Sequence, residues 1–102
     1  MSLPYALIWS SEEKTLKLIG ILDRNSLMIF WNNRYTMLHG KQTLDLSGLV
    51  RVDSAGLAML VYLQNTRIPQ IFITGASERL LTLIAVYNLH DLLQIDSTPL
   101  IY

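Results

Sequence analysis

The pattern of apolar and polar positions is most regular between Leu44 and Gln64. Leu44 and Leu46 alternate with polar neighbours, and this two-residue period predicts a short strand. Ser47 and Gly48 end the alternation. Apolar positions then return at helical spacing, so we expect a helix that packs one face on the core, formed by Leu57, Leu60, Val61 and Gln64.

The start of this helix is marked by Asp53 and Ser54. Either side chain can accept a hydrogen bond from the unpaired N–H groups of a first helical turn and so act as the N-cap. We therefore predict a strand, a tight connection and a helix that begins at the segment Asp53-Ser54-Ala55-Gly56.

The opposite face of this helix carries no charge. No charged residue occurs between Ser54 and Thr66, although a surface helix usually carries charge on its outer side, and a helix that is apolar all round is usually buried on both sides. We expect the second burial to come from a partner protein, with a homodimer or the chain's own first or third helix as alternatives. The outward positions are Ala55, Ala58, Met59 and Tyr62.

The segment before Leu44 is predicted to form a hairpin and a helix. A short apolar run at Tyr5–Trp9 and an alternating segment at Thr15–Ile19 flank a polar turn, which indicates two antiparallel strands. A helix is expected from about Arg24 to Leu38, with Asp23 or Asn25 as its cap. Its apolar face is formed by Leu27, Phe30, Trp31 and Leu38.

The segment after Gln64 is predicted to form a strand, a helix and an edge strand. Pro69 cannot continue a helix, and the apolar run Ile71–Ile73 is typical of a strand buried on both faces of a sheet. Ser77 starts a last helix, Leu92–Ile95 predicts a final edge strand, and residues 97–102 form a tail.

This order of elements predicts the α/β class. We expect a single domain over residues 1–102, with a core from about 5 to 95. Its mixed β-sheet would have four to five strands with about three helices. A chain of 102 residues is long enough for one hydrophobic core and hardly for two.

Composition excludes several classes of function. Eight basic and eight acidic residues cancel, so no positive field attracts nucleic acid or an anionic membrane. The absence of cysteine excludes disulfides, thiolate metal sites and a cysteine nucleophile. No apolar run approaches the ~18 residues of a membrane span, so we expect neither a signal peptide nor direct membrane insertion.

Catalytic motifs are approached but not met. Val52 stands where a nucleophile elbow around Ser54 needs glycine, and Tyr35 stands where a phosphate loop ending at Gly40-Lys41 needs one. His39 and His90 are interpreted as residues at helix ends. We therefore predict no catalytic residue, no metal site and no cofactor.

Three segments of the chain form a distinctive pattern, Leu44–Ser47, Val52–Leu57 and the turn Gly20–Asp23. They resemble a known family, the STAS domain of anti-sigma-factor antagonists and of the cytosolic tails of anion transporters, and the element order agrees from about Thr15 to Leu92. Within that family the chain is similar to the MlaB subgroup, the small STAS subunits of Mla phospholipid ABC transporters. The additional matches are Trp31, Arg34, Arg51-Val52-Asp53 and Tyr87-Asn88-Leu89.

The resemblance implies a non-catalytic subunit that binds the cytoplasmic ATPase subunit of an ABC transporter. The Mla-type complex also contains permease and substrate-binding subunits, and the STAS subunit supports assembly and activity in maintaining outer-membrane lipid asymmetry. The protein would lie in the cytoplasm, at the inner face of the inner membrane. The predicted partner-binding residues are Asp53, Ser54, Ala55, Ala58, Met59 and Tyr62.

Two other functions remain open on the sequence. One is a partner-switching regulator of the anti-sigma factor antagonist type. In those proteins the phosphorylated serine lies at the position of Ala55, which cannot accept phosphate, so only Ser54 remains as a phosphorylation site. The other is a small nucleotide- or anion-binding domain that uses the N-terminus of the central helix.

Overall fold

A computed structural model describes residues 6–96 of the chain. Tyr5 and the predicted tail, residues 97–102, lie outside this range. The strands and helices are β1 (Leu7–Glu12), β2 (Thr15–Leu22), α1 (Leu27–Asn32), α2 (Arg34–Leu38), β3 (Thr43–Val52), α3 (Ser54–Thr66), β4 (Phe72–Thr74), α4 (Glu78–Val86) and β5 (Ile95–Asp96).

The strands form one mixed sheet in the order β1-β2-β3-β4-β5, so the predicted fold class is confirmed. The first two strands form the expected antiparallel hairpin, and each later strand pairs in parallel with the strand before it in the chain. Because parallel crossovers are right-handed, crossovers that always step in one direction place their helices on the same face of the sheet.

The hydrophobic core lies between this face and the helices. Leu16, Leu44 and Ile73 occupy one row across neighbouring strands, and all three are fully buried. Phe30 packs against the same core from α1, and its ring makes an edge contact with Trp9 at a centroid distance of 5.5 Å.

Within residues 6–96 no helix packs on the opposite face of the sheet, which corrects one prediction. The run Ile71–Ile73 was expected to be buried on both faces, but the Phe72 side chain is 65% exposed while Ile71 and Ile73 are buried. Alternate residues of a strand face opposite sides of a sheet. With the helices on one side, every second position therefore points to solvent.

Strand β3 is longer than the alternation at Leu44–Leu46 indicates. It runs for ten residues and passes through Ser47 and Gly48, which were expected to end it. It pairs with seven of the eight residues of β2, and the register shifts twice along the pair. A Cβ on Gly48 would lie 2.8 Å from the Leu18 carbonyl oxygen, so glycine permits the irregular pairing instead of ending it.

The first predicted helix is divided into α1 and α2. The Asn33 side-chain amide donates to the Ile29 carbonyl at 2.7 Å, while the Asn33 backbone N–H bonds the Phe30 carbonyl at 3.0 Å. The side chain thus takes the carbonyl that an uninterrupted helix would give to the backbone N–H. The prediction of one continuous helix from Arg24 to Leu38 is therefore wrong.

The helix also starts later than predicted, and its expected cap has a different role. The Asp23 carboxylate accepts from the backbone N–H groups of Asn25 at 3.0 Å and Ser26 at 2.9 Å, which holds a turn ahead of the helix. The position directly before α1 is Ser26, not Asp23 or Asn25.

The last two elements follow the expected order. Ser77 caps α4 by accepting from the Leu80 N–H at 3.1 Å, as predicted. The final edge strand covers Ile95–Asp96, later than the predicted Leu92–Ile95. Buried Gln64 of α3 places this segment because its side-chain amide donates to the Gln94 carbonyl and accepts from the Gln94 N–H, both at 2.7 Å.

Replacement of Phe30 by alanine is expected to destabilise the domain strongly. The ring is fully buried, and truncation of a buried Phe costs about 3–5 kcal/mol of the free energy of unfolding. Met28→Ala in the same short helix removes a side chain that is half exposed, so its effect should be far smaller. Urea unfolding of both variants measures the difference, and equal losses would contradict this packing of α1.

Candidate partner-binding site

Asp53 lies between β3 and α3 and joins two parts of the chain. One oxygen of its carboxylate accepts from the Gly56 N–H at 2.9 Å, and the other accepts from the Arg24 N–H at 3.1 Å. The first bond caps α3, while the second reaches the turn that follows β2. Since the carboxyl ends of parallel β2 and β3 lie side by side, a single carboxylate can bridge them.

The Asp53 carboxyl group is held in its charged form. Burial acts to raise its pKa, but the backbone N–H groups of Gly56, Arg24 and Ala55 and the positive charge of Arg24 outweigh that effect. The pKa is therefore lowered from its usual range. A negative charge at the positive end of the α3 dipole adds to helix stability.

Gly56 allows α3 to begin directly against the end of β2. A Cβ at this position would lie 2.4 Å from the Leu22 carbonyl oxygen and 2.8 Å from the Leu22 side chain. Any larger residue would push the first turn of α3 away from the sheet. The glycine thus fixes how closely Asp53 and the residues after it approach the β2 turn.

Ser54 is the first residue of α3, and its side chain is exposed. The sequence left the N-cap open between Asp53 and Ser54, and the structure gives that role to Asp53. The Ser54 hydroxyl is therefore not required for capping. It lies on the surface at the start of the helix, where a partner can reach it.

The outward face of α3 contains most of the predicted residues. Ala58 is exposed, Tyr62 is 47% exposed and Ala55 is half-buried. On the inward side, Leu57, Leu60 and Gln64 are buried as predicted, and Val61 is half-buried. We name the exposed surface the α3 face and define it by Ser54, Ala55, Ala58 and Tyr62.

Met59 does not belong to this face, and its predicted outward orientation is wrong. Its side chain is only 5% exposed. Around the helix axis, at 100° per residue, the buried residues of α3 cover an arc of about 160°. Met59 lies at one edge of this arc and Leu57 at the other. This is the flank on which Trp31 of α1 packs against Tyr62, with a centroid distance of 5.1 Å. The helical wheel lacked the position of α1.

A groove of about 290 Å³ runs along one side of the α3 face. Ser54, Ala58 and Val61 line it from α3, and Tyr87 and Leu89 line it from the segment after α4. We name it the Ala58 groove. Most of the residues that line the Ala58 groove are apolar.

Asn88 places Tyr87 and Leu89, the two residues after α4 that line the Ala58 groove. Its φ is 57°, in the left-handed region, and it lies two residues beyond Val86, the last residue of α4. The Leu89 N–H then bonds the Ile84 carbonyl at 2.9 Å, and the Asn88 N–H bonds the Ala85 carbonyl at 3.0 Å. This is a Schellman motif, for which asparagine is one of the tolerated residues.

Tyr87 and Leu89 were not among the predicted site residues. The sequence did single out Tyr87-Asn88-Leu89 as a matching segment, but nothing in it indicated that this segment borders α3. Asparagine directly after an apolar helix is the available signal for a left-handed helix end. The distance between the two helices, however, is a tertiary property.

The described residues that line the Ala58 groove provide no general base for the Ser54 hydroxyl. The residues that line the Ala58 groove include no histidine, carboxylate or lysine that can act as a base for Ser54. Within residues 6–96, no group of three or more His, Asp or Glu side chains is placed to hold a metal ion. No described helix is long and apolar enough to cross a membrane.

Comparison with known proteins identifies the class. The family model of the Mlab, STAS domain matches residues 6–94. The solved structure of the anti-sigma factor antagonist SpoIIAA in its unphosphorylated form has a similar fold, with a TM-score of 0.56. The match covers 82% of this chain and 83% of that chain at 14% sequence identity, so it shows the fold alone.

Curated relatives narrow the class to one family. The intermembrane phospholipid transport system binding proteins MlaB of Escherichia coli (strain K12) and of Shigella flexneri are each 34% identical to this chain over 87 residues. Each match covers 82% of this chain and 90% of the relative. The chain belongs to the MlaB-type STAS domain family, which confirms the resemblance seen in its sequence.

The lowered pKa of Asp53 predicts a stability that depends on pH. Folding favours the carboxylate, so its contribution is fully present above the pKa of the unfolded chain and is lost as pH falls through the lower folded-state pKa. We expect Asp53→Ala to lose about 0.5–2 kcal/mol at neutral pH, as for other caps. The loss should shrink below about pH 4, where the unfolded carboxyl group is protonated.

Denaturant unfolding of both proteins across acid pH measures this effect. Asp53→Asn is the matched control, because the amide oxygen can still cap Gly56 but does not titrate. A loss in Asp53→Ala that stays constant down to strongly acid pH would show that the charge of Asp53 contributes nothing.

Proposed function

We propose that this protein is a non-catalytic STAS subunit of a phospholipid ABC transporter. It binds the cytoplasmic ATPase subunit through the α3 face and supports the assembly and activity of the complex, which keeps the lipid composition of the outer membrane asymmetric. The protein then lies in the cytoplasm, held at the inner membrane by the transporter's ATPase and permease.

The observation that carries this proposal is an exposed, uncharged helix face on a chain similar to MlaB. Tyr62 is 47% exposed and Tyr87 across the Ala58 groove is 51% exposed. Tyrosines that border small residues such as Ala58 are typical of protein interfaces, where aromatic side chains supply contact area and Lys, Glu and Asp are depleted. The exposed Ser54 hydroxyl adds a hydrogen-bonding group at one end.

Two features favour docking over the alternative functions. A partner switch driven by phosphate at the usual STAS position is disfavoured by Ala55. An anion or nucleotide at the α3 N-terminus would meet the Asp53 carboxylate, which already accepts from the Gly56 N–H. Like charges repel in a partly buried site, so the helix terminus is a poor anion site.

A pair of glutamate substitutions tests the α3 face. Ala58→Glu changes an exposed residue, so the domain should keep its melting temperature, because exposed substitutions usually change stability by less than about 0.5 kcal/mol. In the complex the new carboxylate would be buried without a counter-charge, at a cost of several kcal/mol. At about 1.4 kcal/mol per tenfold, the affinity for the ATPase subunit should fall at least a hundredfold.

The controls separate folding from docking. Met59→Glu, one position further along the helix, places a charge in the core and should unfold the domain. Thr82→Glu on the exposed side of α4 adds the same charge elsewhere and should leave both folding and binding unchanged. Binding is measured by titration calorimetry with the purified ATPase subunit of the same organism. Undiminished binding by folded Ala58→Glu would exclude the α3 face as the docking site.

The absence of catalysis is tested separately. We expect the purified protein to hydrolyse neither ATP nor p-nitrophenyl esters, because Ser54 has no base among the residues that line its groove. Turnover that is abolished in Ser54→Ala would contradict the proposal and assign the site to an enzyme.

A further inference from the structure

Two long stretches of the chain, which include helices α1, α2 and α3, carry positive but no negative side chains. Residues 24–44 and 54–77 contain no aspartate or glutamate, although the whole chain has eight acidic and eight basic residues. The basic residues in these stretches are Arg24, Arg34, Lys41 and Arg67. The side of the molecule formed by α1, α2 and α3 is therefore positive, and this could not be seen from the net charge.

Two of these arginines line one groove beside the α3 face. The groove has a volume of about 410 Å³ and lies between α2 and the C-terminal half of α3. Arg34, Tyr35 and His39 line it from the α2 side, and Tyr62 and Arg67 line it from the α3 side. We name it the basic groove. None of its lining residues is acidic.

Arg34 is held in a fixed position within this groove. Its guanidinium lies over the Trp31 ring, 3.7 Å from the centroid, and 4.4 Å from the centroid of the Tyr35 ring. One of its nitrogens donates to the Trp31 carbonyl at 2.7 Å. Cation–π contacts and a carbonyl orient the group but do not neutralise its charge. Within residues 6–96 one salt bridge is present, between Arg51 and Asp23, and neither of these residues lines the basic groove.

Arg67 adds a second positive charge to the basic groove. One of its guanidinium nitrogens donates to the carbonyls of Leu38 and Lys41, while its buried Nη1 has no hydrogen-bond partner within the described range. Partly buried charges are screened by salt less than exposed ones, so the groove keeps a positive potential.

We propose that the basic groove receives an aspartate or glutamate side chain from an acidic segment of the protein partner, with Arg34 as the principal contact. This inference rests on the proposed function and extends the docking surface beyond α3. Tyr62 belongs to both the α3 face and the basic groove, so one partner can occupy both. A planar guanidinium is suited to bind a carboxylate through two parallel hydrogen bonds.

The position of the cations favours a protein segment over a lipid surface. A membrane binds basic side chains that project from an exposed surface, whereas Arg34 and Arg67 of the basic groove are both partly buried. A narrow groove of this volume fits a few side chains of a peptide. Anionic vesicles therefore serve as the competing ligand in the test.

The test compares three substitutions of arginine by calorimetry with the ATPase subunit. Arg34→Glu should weaken binding at least tenfold, because it replaces attraction with repulsion at the carboxylate. Arg34→Gln should weaken binding less than Arg34→Glu does, and it should make the dissociation constant depend less on salt. The salt concentration is varied from about 50 to about 500 mM, roughly one-third to three times physiological ionic strength. Arg79→Glu, on exposed α4, makes the same charge change outside the groove and should bind as the wild type does.

The outcomes separate this inference from the proposed function. If the wild type does not bind the ATPase subunit, the proposed function fails. If the wild type binds and Ala58→Glu does not, but folded Arg34→Glu binds normally with unchanged salt dependence, only the role of the basic groove is refuted. Sedimentation with phosphatidylglycerol vesicles that depends on Arg34, without an effect on ATPase binding, would assign the groove to lipid and overturn the inference.

Discussion

The close approach of α3 to the end of β2 is the constraint on which the rest of this structure depends. Because Gly56 has no side chain, the first turn of α3 lies against the Leu22 carbonyl, and the Asp53 carboxylate can reach both the helix and the Arg24 N–H. The direction of α3 is thereby fixed at its first turn. That direction decides which of its side chains enter the core and which form the α3 face.

The topology explains why such a small domain has a large surface available to partners. Parallel strands added in one direction place the helices on one face of the sheet, so the part of the chain that the structure describes adds no further layer above the helices. The α3 face, the Ala58 groove and the basic groove all lie on this outer side. Its apolar and positive character comes from the same stretches of sequence that lack acidic residues.

The sequence predicted the element order and most of the α3 face, because both depend on local periodicity. It failed where distant parts of the chain decide the outcome. Met59 is buried because α1 covers one flank of α3, and Phe72 is exposed because the helices of the described range all pack on the other face of the sheet. The break at Asn33 was a local signal that a wheel of apolar positions does not record, since it depends on a side-chain hydrogen bond to Ile29.

The first turn of α3 separates the residues that maintain the fold from those that are available for binding. Asp53 and Gly56 are occupied by the contacts to Arg24 and Leu22, so neither can change without disturbing the start of the helix. Ser54 has no capping duty and lies on the surface beside them. A sequence can therefore alter the exposed positions and acquire a different partner while it keeps the same helix start.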